Sequence, residues 1–309
     1  MKVCVLTGGI GSEREVSIQS GNCVAEGLEK GGVNVVLADI TPDNMEILSR
    51  DDIDVFFIAL HGKFGEDGQL QQILEDRGLL YTGSGPAASR LAFDKRESKR
   101  IFVERGIRTP AVIEFVKESD SGEVEKQLEG LGDKYVVKPV TQGSSVGVSI
   151  IEGCGEVIAA AGKCLGEFGD CMIEEFIEGR EITVGIVCGE TLPIIEVRPE
   201  RVFYDYDAKY VDEQTGFRFD TIESKELSEE IKVAAIECYN ALGCRHFARV
   251  DLILCEDGSF YVLELNTIPG LTTHSLVPKA AARAGLSMID LCLKIVEAAL
   301  ESKCSAVRG

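Results

Sequence analysis

Apolar positions in the first third of the chain come in short unbroken runs separated by stretches of helical period. Residues 2–7 form one run, which enters Gly8-Gly9-Ile10-Gly11, and residues 33–40 and 53–60 form two more. Runs of this length flanked by glycine predict buried strands. Between the first two, Ser12 and Glu15 stand in the S-x-x-E order of a capping box, so a helix is expected to open there and stop at Gly31-Gly32. A second helix is expected over 65–77 and a short strand over 79–81. Strands alternating with helices predict a parallel sheet with helices packed on its faces.

The pattern changes near Phe93. A charged helix over 94–105 ends at Gly106. Strands at 111–116, 135–140, 148–151 and 172–177 then alternate with helices at 123–131 and 156–167, the texture of an α+β unit. Beyond residue 178 the strands lengthen and alternate in polarity, with an irregular stretch at 202–224 and three helices. At roughly 150 residues per domain the 309 residues allow two domains, whereas the pattern divides into three parts.

Two strand-like segments, 247–254 and 260–266, flank Glu256-Asp257-Gly258, and Asp-Gly is a strong two-residue hairpin signal. A turn at Asp257-Gly258 places Asp251 opposite Glu264 and Arg249 opposite Asn266, all on one face. Opposed carboxylates repel. A divalent cation removes that cost, and an oxygen-rich set of two carboxylates and an amide suits Mg2+; the alternative is a solvated acidic face. Residues 141–147, TQGSSVG, follow a strand and precede another, a loop whose backbone N–H groups can approach phosphate oxygens. It lacks the Walker order, and an ordinary flexible hairpin explains it equally. Lys138, at the end of a buried strand, needs an anionic partner; Lys95 also fits a plain surface helix.

Composition narrows the classes. Hydrophobic residues at 45% and charged residues at 27% are ordinary for a globular chain. The 32 basic and 52 acidic residues leave a net charge of −20, which argues against nucleic acid and anionic membranes as partners. Eleven cysteines without a C-x-x-C pair read as reduced thiols, and the first apolar run is too short for a signal peptide, so a cytoplasmic protein is expected. Gly8-Gly9-Ile10-Gly11 lacks the G-x-G-x-x-G spacing of a dinucleotide fold.

Several ordered motifs resemble the D-alanine–D-alanine ligases of the ATP-grasp superfamily. They are Gly8-Gly9 through Glu13-Arg14-Glu15-Val16-Ser17, His61-Gly62-Lys63-Phe64-Gly65-Glu66-Asp67-Gly68, Asp94-Lys95, and Lys138-Pro139 with Gly143-Ser144-Ser145-Val146-Gly147. Tyr204-Asp205-Tyr206-Asp207-Ala208-Lys209-Tyr210, Arg249-Val250-Asp251, Glu264-Leu265-Asn266-Thr267-Ile268-Pro269-Gly270 and His274-Ser275-Leu276-Val277-Pro278 continue the series. The resemblance implies α/β and α+β architecture: an N-terminal parallel-sheet, Rossmann-like domain (1–93), a central ATP-grasp lobe (94–178) and a C-terminal ATP-grasp lobe (179–309). It implies a cytoplasmic homodimer of cell-wall precursor synthesis that joins two D-alanine molecules with ATP through a D-alanyl phosphate. Mg2+ is expected as two ions, with Mn2+ able to substitute.

By the same resemblance Lys95, Lys138, Glu174, Ile177, Glu181 and Tyr204 contact ATP, and Asp251, Glu264 and Asn266 hold the metal. Glu13, Ser144 and Tyr210 link three lobes, with Glu13 also on the first substrate's ammonium. Arg249 and the Gly270 N–H stabilise the oxyanion. His61 lies near the first substrate's carboxylate, and Lys209, Ser275 and Leu276 orient the second substrate. Tyr204 and Tyr210 match the dipeptide-forming type. The chain departs from the pattern at Asp220-Thr221, where Pro-Ala is usual, at Gly11, where Ser is common, and at Gln72, where Gly is common; a differently ordered lid is expected. The alternatives are a D-lactate or D-serine acceptor, or an ATP-grasp protein that binds nucleotide without ligating.

Overall fold

The computed structural model describes residues 1–198 and 216–306, with side chains through Ser302. The three early apolar runs become β1 (Lys2–Gly8), β2 (Asn34–Ile40) and β3 (Val55–Ile58), paired in parallel in the order β2-β1-β3. Helix α1 (Arg14–Lys30) is the first crossover, and its buried Val16, Ser20, Val24 and Leu28 recur every four residues along the face laid on the sheet. The expected capping box does not form. Glu13 is the N-cap, and no side chain caps the helix. Its carboxylate instead crosses to a distant loop, so this helix end gives up a local stabilisation. The strand expected over 79–81 shrinks to one bridge between Phe56 and Tyr81. After α2 (Gln69–Asp76) comes α3 (Pro86–Phe93), which the periodicity does not announce and which opens on a proline.

Helix α4 (Lys95–Glu104) is capped by the Asp94 carboxylate, which accepts from the N–H groups of Arg96 and Glu97. Next, β4 (Val112–Phe115), β5 (Lys134–Pro139), β6 (Ser149–Glu152) and β7 (Cys171–Glu175) form an antiparallel sheet ordered β4-β7-β5-β6. Helix α6 (Cys154–Phe168) packs on this sheet, and α5 (Ser121–Leu128) packs against α6 and β4. Tyr135, Val137, Val157 and Ile173 lie in the core between sheet and helices.

The last third supplies β8 (Arg180–Val187), β9 (Glu190–Thr191), β10 (Ile195–Arg198), β11 (Gly216–Phe219), β12 (Phe247–Leu254) and β13 (Phe260–Asn266). They form a second antiparallel sheet, β11-β10-β8-β12-β13, with β9 beside β8. Its helices are α7 (Lys225–Ala241), α8 (Leu276–Arg283) and α9 (Met288–Ala306). Helix α9 runs back to the first sheet and packs on α1, where Gly27 and Gly31 make room. A Cβ on Gly27 would stand 3.4 Å from Cys292 Sγ, and one on Gly31 would stand 3.1 Å from Leu293 Cδ1.

The β12–β13 hairpin corrects the two-residue turn expected at Asp257-Gly258. Gly258 N donates to the Cys255 carbonyl at 3.1 Å and Gly258 takes φ +84°. Glu256 and Asp257 therefore form the corner, and glycine fills the left-handed position that follows it. This turn pairs Leu252 with Val262. A bulge at Leu263 then shifts the register, so that Asp251 faces Glu264 and Arg249 faces Asn266 after all. The two departures cancel at the residues that matter.

Candidate active site

The two antiparallel sheets close on a cavity of about 530 Å³, within the range of small-molecule sites. Lys95 from the start of α4, Lys138 from the end of β5, Glu174 from β7, and Ile177 and Glu181 from the following turn and β8 all line it. Asp251, Leu263 and Glu264 form the opposite wall; the bulge turns Leu263 and Glu264 to the same side. Glu174 is 2% exposed and held between two ammonium groups, Lys99 Nζ at 2.8 Å from Oε1 and Lys138 Nζ at 2.9 Å from Oε2. Burial pushes the Glu174 carboxyl up, but Lys138 and Lys99 outweigh it and hold the group below the usual range. Above this cluster, Ser144 and Ser145 both take positive φ (+51° and +58°) in the loop after β5. That conformation is uncommon for residues with a side chain and concentrates at ligand-holding loops.

On the hairpin wall, Asp251 is 5% exposed. It accepts from Arg249 Nε at 2.8 Å and Nη2 at 2.7 Å, from Thr183 Oγ1 at 2.7 Å, and from Asn266 Nδ2 at 3.0 Å. Glu264 opposite it stands 3.3 Å from Lys95 Nζ, which also donates to the Gln142 carbonyl at 2.6 Å. Two facing carboxylates are thus tolerated here by one cation each. Among the described residues no three His, Cys, Asp or Glu side chains gather as a metal cluster. Asp251 and Glu264 face the cavity, and Asn266 joins them through its bond to Asp251, making two carboxylates and one amide, hard oxygen donors of the kind Mg2+ takes.

The strand order β2-β1-β3 reverses direction between β1 and β3, and open α/β sheets bind ligands at the carboxyl ends of the strands flanking such a point. Glu13 follows β1 and His61 follows β3. Glu13, 8% exposed, accepts from Ser144 Oγ at 2.5 Å, which ties the first sheet's switch point to the loop of the central sheet. Gly62 and Gly143 flank this carboxylate, since a Cβ on either would lie within about 3 Å of Glu13 Oε2. Glu66 accepts from the N–H of Gly62 at 2.7 Å.

Burial, then the nearby Glu13 charge, push the Glu66 carboxyl up to about 8 from an ordinary 4.5. The folded protein therefore holds a proton that the unfolded chain loses above 4.5. From this group, stability falls as pH rises from 4.5 to 8 and levels off above. Glu66→Gln should remove that decline. Urea unfolding at pH 5 and pH 8.5 checks it, and equal pH dependence in both proteins would reject it.

His61 is buried, its Nδ1–H donating to the Ile268 carbonyl at 2.9 Å and its Nε2 accepting from Ser20 Oγ at 3.0 Å. Burial, against the pull of Glu13, keeps the ring neutral, and its contacts fasten the segment leading to Gly270. A Cβ on Gly270 would stand 2.7 Å from Ser275 Oγ. Ser275 is the N-cap of α8, its Oγ 3.1 Å from Thr272 N, and Leu276 begins the helix. Tyr204, Lys209 and Tyr210, and the lid expected around them, lie outside the described residues. The departure at Asp220 is seen: its φ is +57°, and it pairs with Arg283. Sequence reasoning missed Lys99, Thr183 and Glu196, the last buried between Arg180 and Arg198 on the cavity wall.

Two antiparallel sheets clasping a lysine-lined cavity, with paired acids on one wall, define an ATP-grasp fold. Family models described as the D-ala D-ala ligase N-terminus and C-terminus match residues 43–84 and 101–297. The D-alanine–D-alanine ligase of Saccharophagus degradans is 40% identical over 295 residues, covering 96% of this chain and 93% of its own length. The Bacillus anthracis D-alanine–D-alanine ligase, solved in complex with ATP, superposes with a TM-score of 0.86 at 39% identity and 99% coverage of both chains. The VanG D-Ala:D-Ser ligase of Enterococcus faecalis gives 0.83 at 27% identity, over 96% of this chain and 99% of its own. The chain belongs to the D-alanine–D-alanine ligase family.

Proposed function

We propose that this enzyme joins two D-alanine molecules into D-alanyl-D-alanine for peptidoglycan precursor synthesis, converting ATP to ADP and phosphate. The observation that carries the reading is one cavity with Lys138 and Glu174 on one wall and the opposed Asp251–Glu264 pair, each with its own cation, on the other. Lys95 and Lys138 bind the triphosphate, while Glu174, Ile177, Glu181 and Tyr204 hold the nucleoside. Asp251, Glu264 and Asn266 would hold Mg2+ (two ions, Mn2+ able to substitute), which when bound neutralises triphosphate charge. Glu13 anchors the first D-alanine by its ammonium at the switch point of the parallel sheet.

The carboxylate of that D-alanine takes the γ-phosphoryl group and ADP leaves. The amine of the second D-alanine, oriented by Lys209, Ser275 and Leu276, attacks the acyl phosphate, and phosphate departs. Arg249 and the Gly270 N–H stabilise the oxyanion between these steps. The Glu13–Ser144 contact, with Tyr210, closes the site against water. Boundaries near 93 and 178, a homodimer and a cytoplasmic location belong to the same reading. The boundaries are supported by the three separate sheets, whose strands lie within residues 2–58, 112–175 and 180–266; among the described residues no helix is long and apolar enough to cross a membrane. The test is product analysis. With ATP, Mg2+ and D-alanine alone, phosphate and the dipeptide should form. Turnover only after adding D-serine or D-lactate would move the enzyme to another acceptor class, and nucleotide binding without phosphate release would make it a binding protein.

A further inference from the structure

Lys99 sits one helical turn behind Lys95 on α4 and is 1% exposed, yet it does not reach the cavity surface. Its ammonium lies 2.8 Å from Glu174 Oε1 and 2.5 Å from Thr109 Oγ1. Lys138, which does line the cavity, occupies the other Glu174 oxygen. The buried cluster is therefore Lys99–Glu174–Lys138, two cations on one anion, an excess of one positive charge facing the nucleotide cleft. A buried carboxylate stripped of its partners is strongly disfavoured. Lys138 can turn to a phosphate only if something else keeps Glu174 paired.

We infer that Lys99 is a positioning residue, the fixed counter-ion of Glu174, and that its charge frees Lys138 to engage the nucleotide's phosphates. The inference rests on the nucleotide reading of the cleft. Without Lys99, Glu174 competes with the triphosphate for Lys138, so the loss falls on nucleotide binding and not on D-alanine. A buried ion pair that merely joined α4 to β7 would carry no such signature. Burial also pushes the Lys99 ammonium down to about 8. That makes its pairing with Glu174 the condition of its charge.

The experiment is equilibrium binding of ATP, with KM for ATP and for D-alanine measured in parallel, on the whole chain and on Lys99→Met, Lys99→Arg, Glu174→Gln and Lys99→Met/Glu174→Gln. Lys99→Met should weaken ATP binding by roughly 10- to 100-fold, with KM for D-alanine unchanged, and Lys99→Arg should recover part of the loss. The double variant should bind ATP as Glu174→Gln does, because with no buried anion left Lys99 has nothing to neutralise, and the nucleoside contact altered at Glu174 is the same in both. If Lys99→Met fails to fold, the comparison passes to Glu174→Gln and the double variant, which should bind ATP alike. The inference is overturned if Lys99→Met binds as wild type or if Glu174→Gln and the double variant differ. An unaltered chain that binds no ATP would overturn the reading of the cleft as well.

Discussion

Arg249→Ala should lower kcat by roughly three orders of magnitude, the expected scale when one partner of a buried, hydrogen-bonded charge pair at a reacting centre is truncated. The guanidinium grips Asp251 through two donors on a strand flanked on both sides, so it is fixed in orientation before any substrate arrives. On the proposed mechanism its removal takes away the oxyanion's cation. It also leaves Asp251 facing Glu264, which keeps its ion pair with Lys95. Arg249→Lys should recover little, since an ammonium cannot form the planar two-donor fork. A second readout separates chemistry from stability. Added Mg2+ should raise the thermal midpoint of Arg249→Ala more than that of wild type, because Asp251 then lacks its cation. Steady-state kinetics near wild-type rates, or equal Mg2+ responses in both proteins, would count against this account.

Glu13→Ala should reduce kcat/KM for D-alanine by roughly 100- to 1,000-fold while changing ATP binding by less than about threefold, since a desolvated ammonium loses its anion. Glu13 is buried and already committed to Ser144 across the junction between the first sheet and the central one. Two losses therefore coincide, one of charge toward substrate and one of a strap between units. Glu13→Gln divides them. The amide can still accept from Ser144 Oγ but offers no charge, so a defect close to that of Glu13→Ala assigns the effect to the ammonium. Ser144→Ala removes the strap while keeping the Glu13 charge and should cost only about tenfold, the scale of a single hydrogen bond. Equal defects in Ser144→Ala and Glu13→Ala would instead make the strap the dominant function.

The alternation of short apolar runs with helical stretches was enough to read the parallel sheet, and Asp-Gly was enough to place the hairpin. The hairpin's detail was not legible. Cys255 and Gly258 close a longer turn, and only the bulge at Leu263 restores the pairing of Asp251 with Glu264. A bulge has no reliable mark in a single strand, because it reflects what the neighbouring strand presents. At the start of α1, the local rule pointed to Ser12 and Glu15, whereas the fold spends that position on Glu13 and its reach to Ser144.

Lys99 left a signal that could have been used. Buried α4 positions are Lys95, Ser98, Lys99 and Phe102, the spacing of an apolar stripe. Lysines on the inward face of a helix that is otherwise charged demand buried anions. Helix α3 left less, being short and adjoining α4 without a turn-rich gap. For His61, a loop position said nothing about which atoms would meet it. Its partners, Ser20 and Ile268, come from segments far apart in sequence.

The packing of α9 on α1 bears on how the chain is made. Residues that close the core around the parallel sheet include Leu291, Cys292, Ile295, Val296 and Ala299, beside Val5, Leu28 and Phe57. The three strands lie within residues 2–58, whereas the helix that covers them begins only at Met288 and so is synthesised long after them. A nascent chain halted before residue 288 has α1 laid on β1 and β2 but lacks the helix that packs on α1 and β3, and the apolar surface left open makes it a substrate for chaperones rather than an independent folding unit. Completion of the sheet's core waits on a helix made well over two hundred residues later.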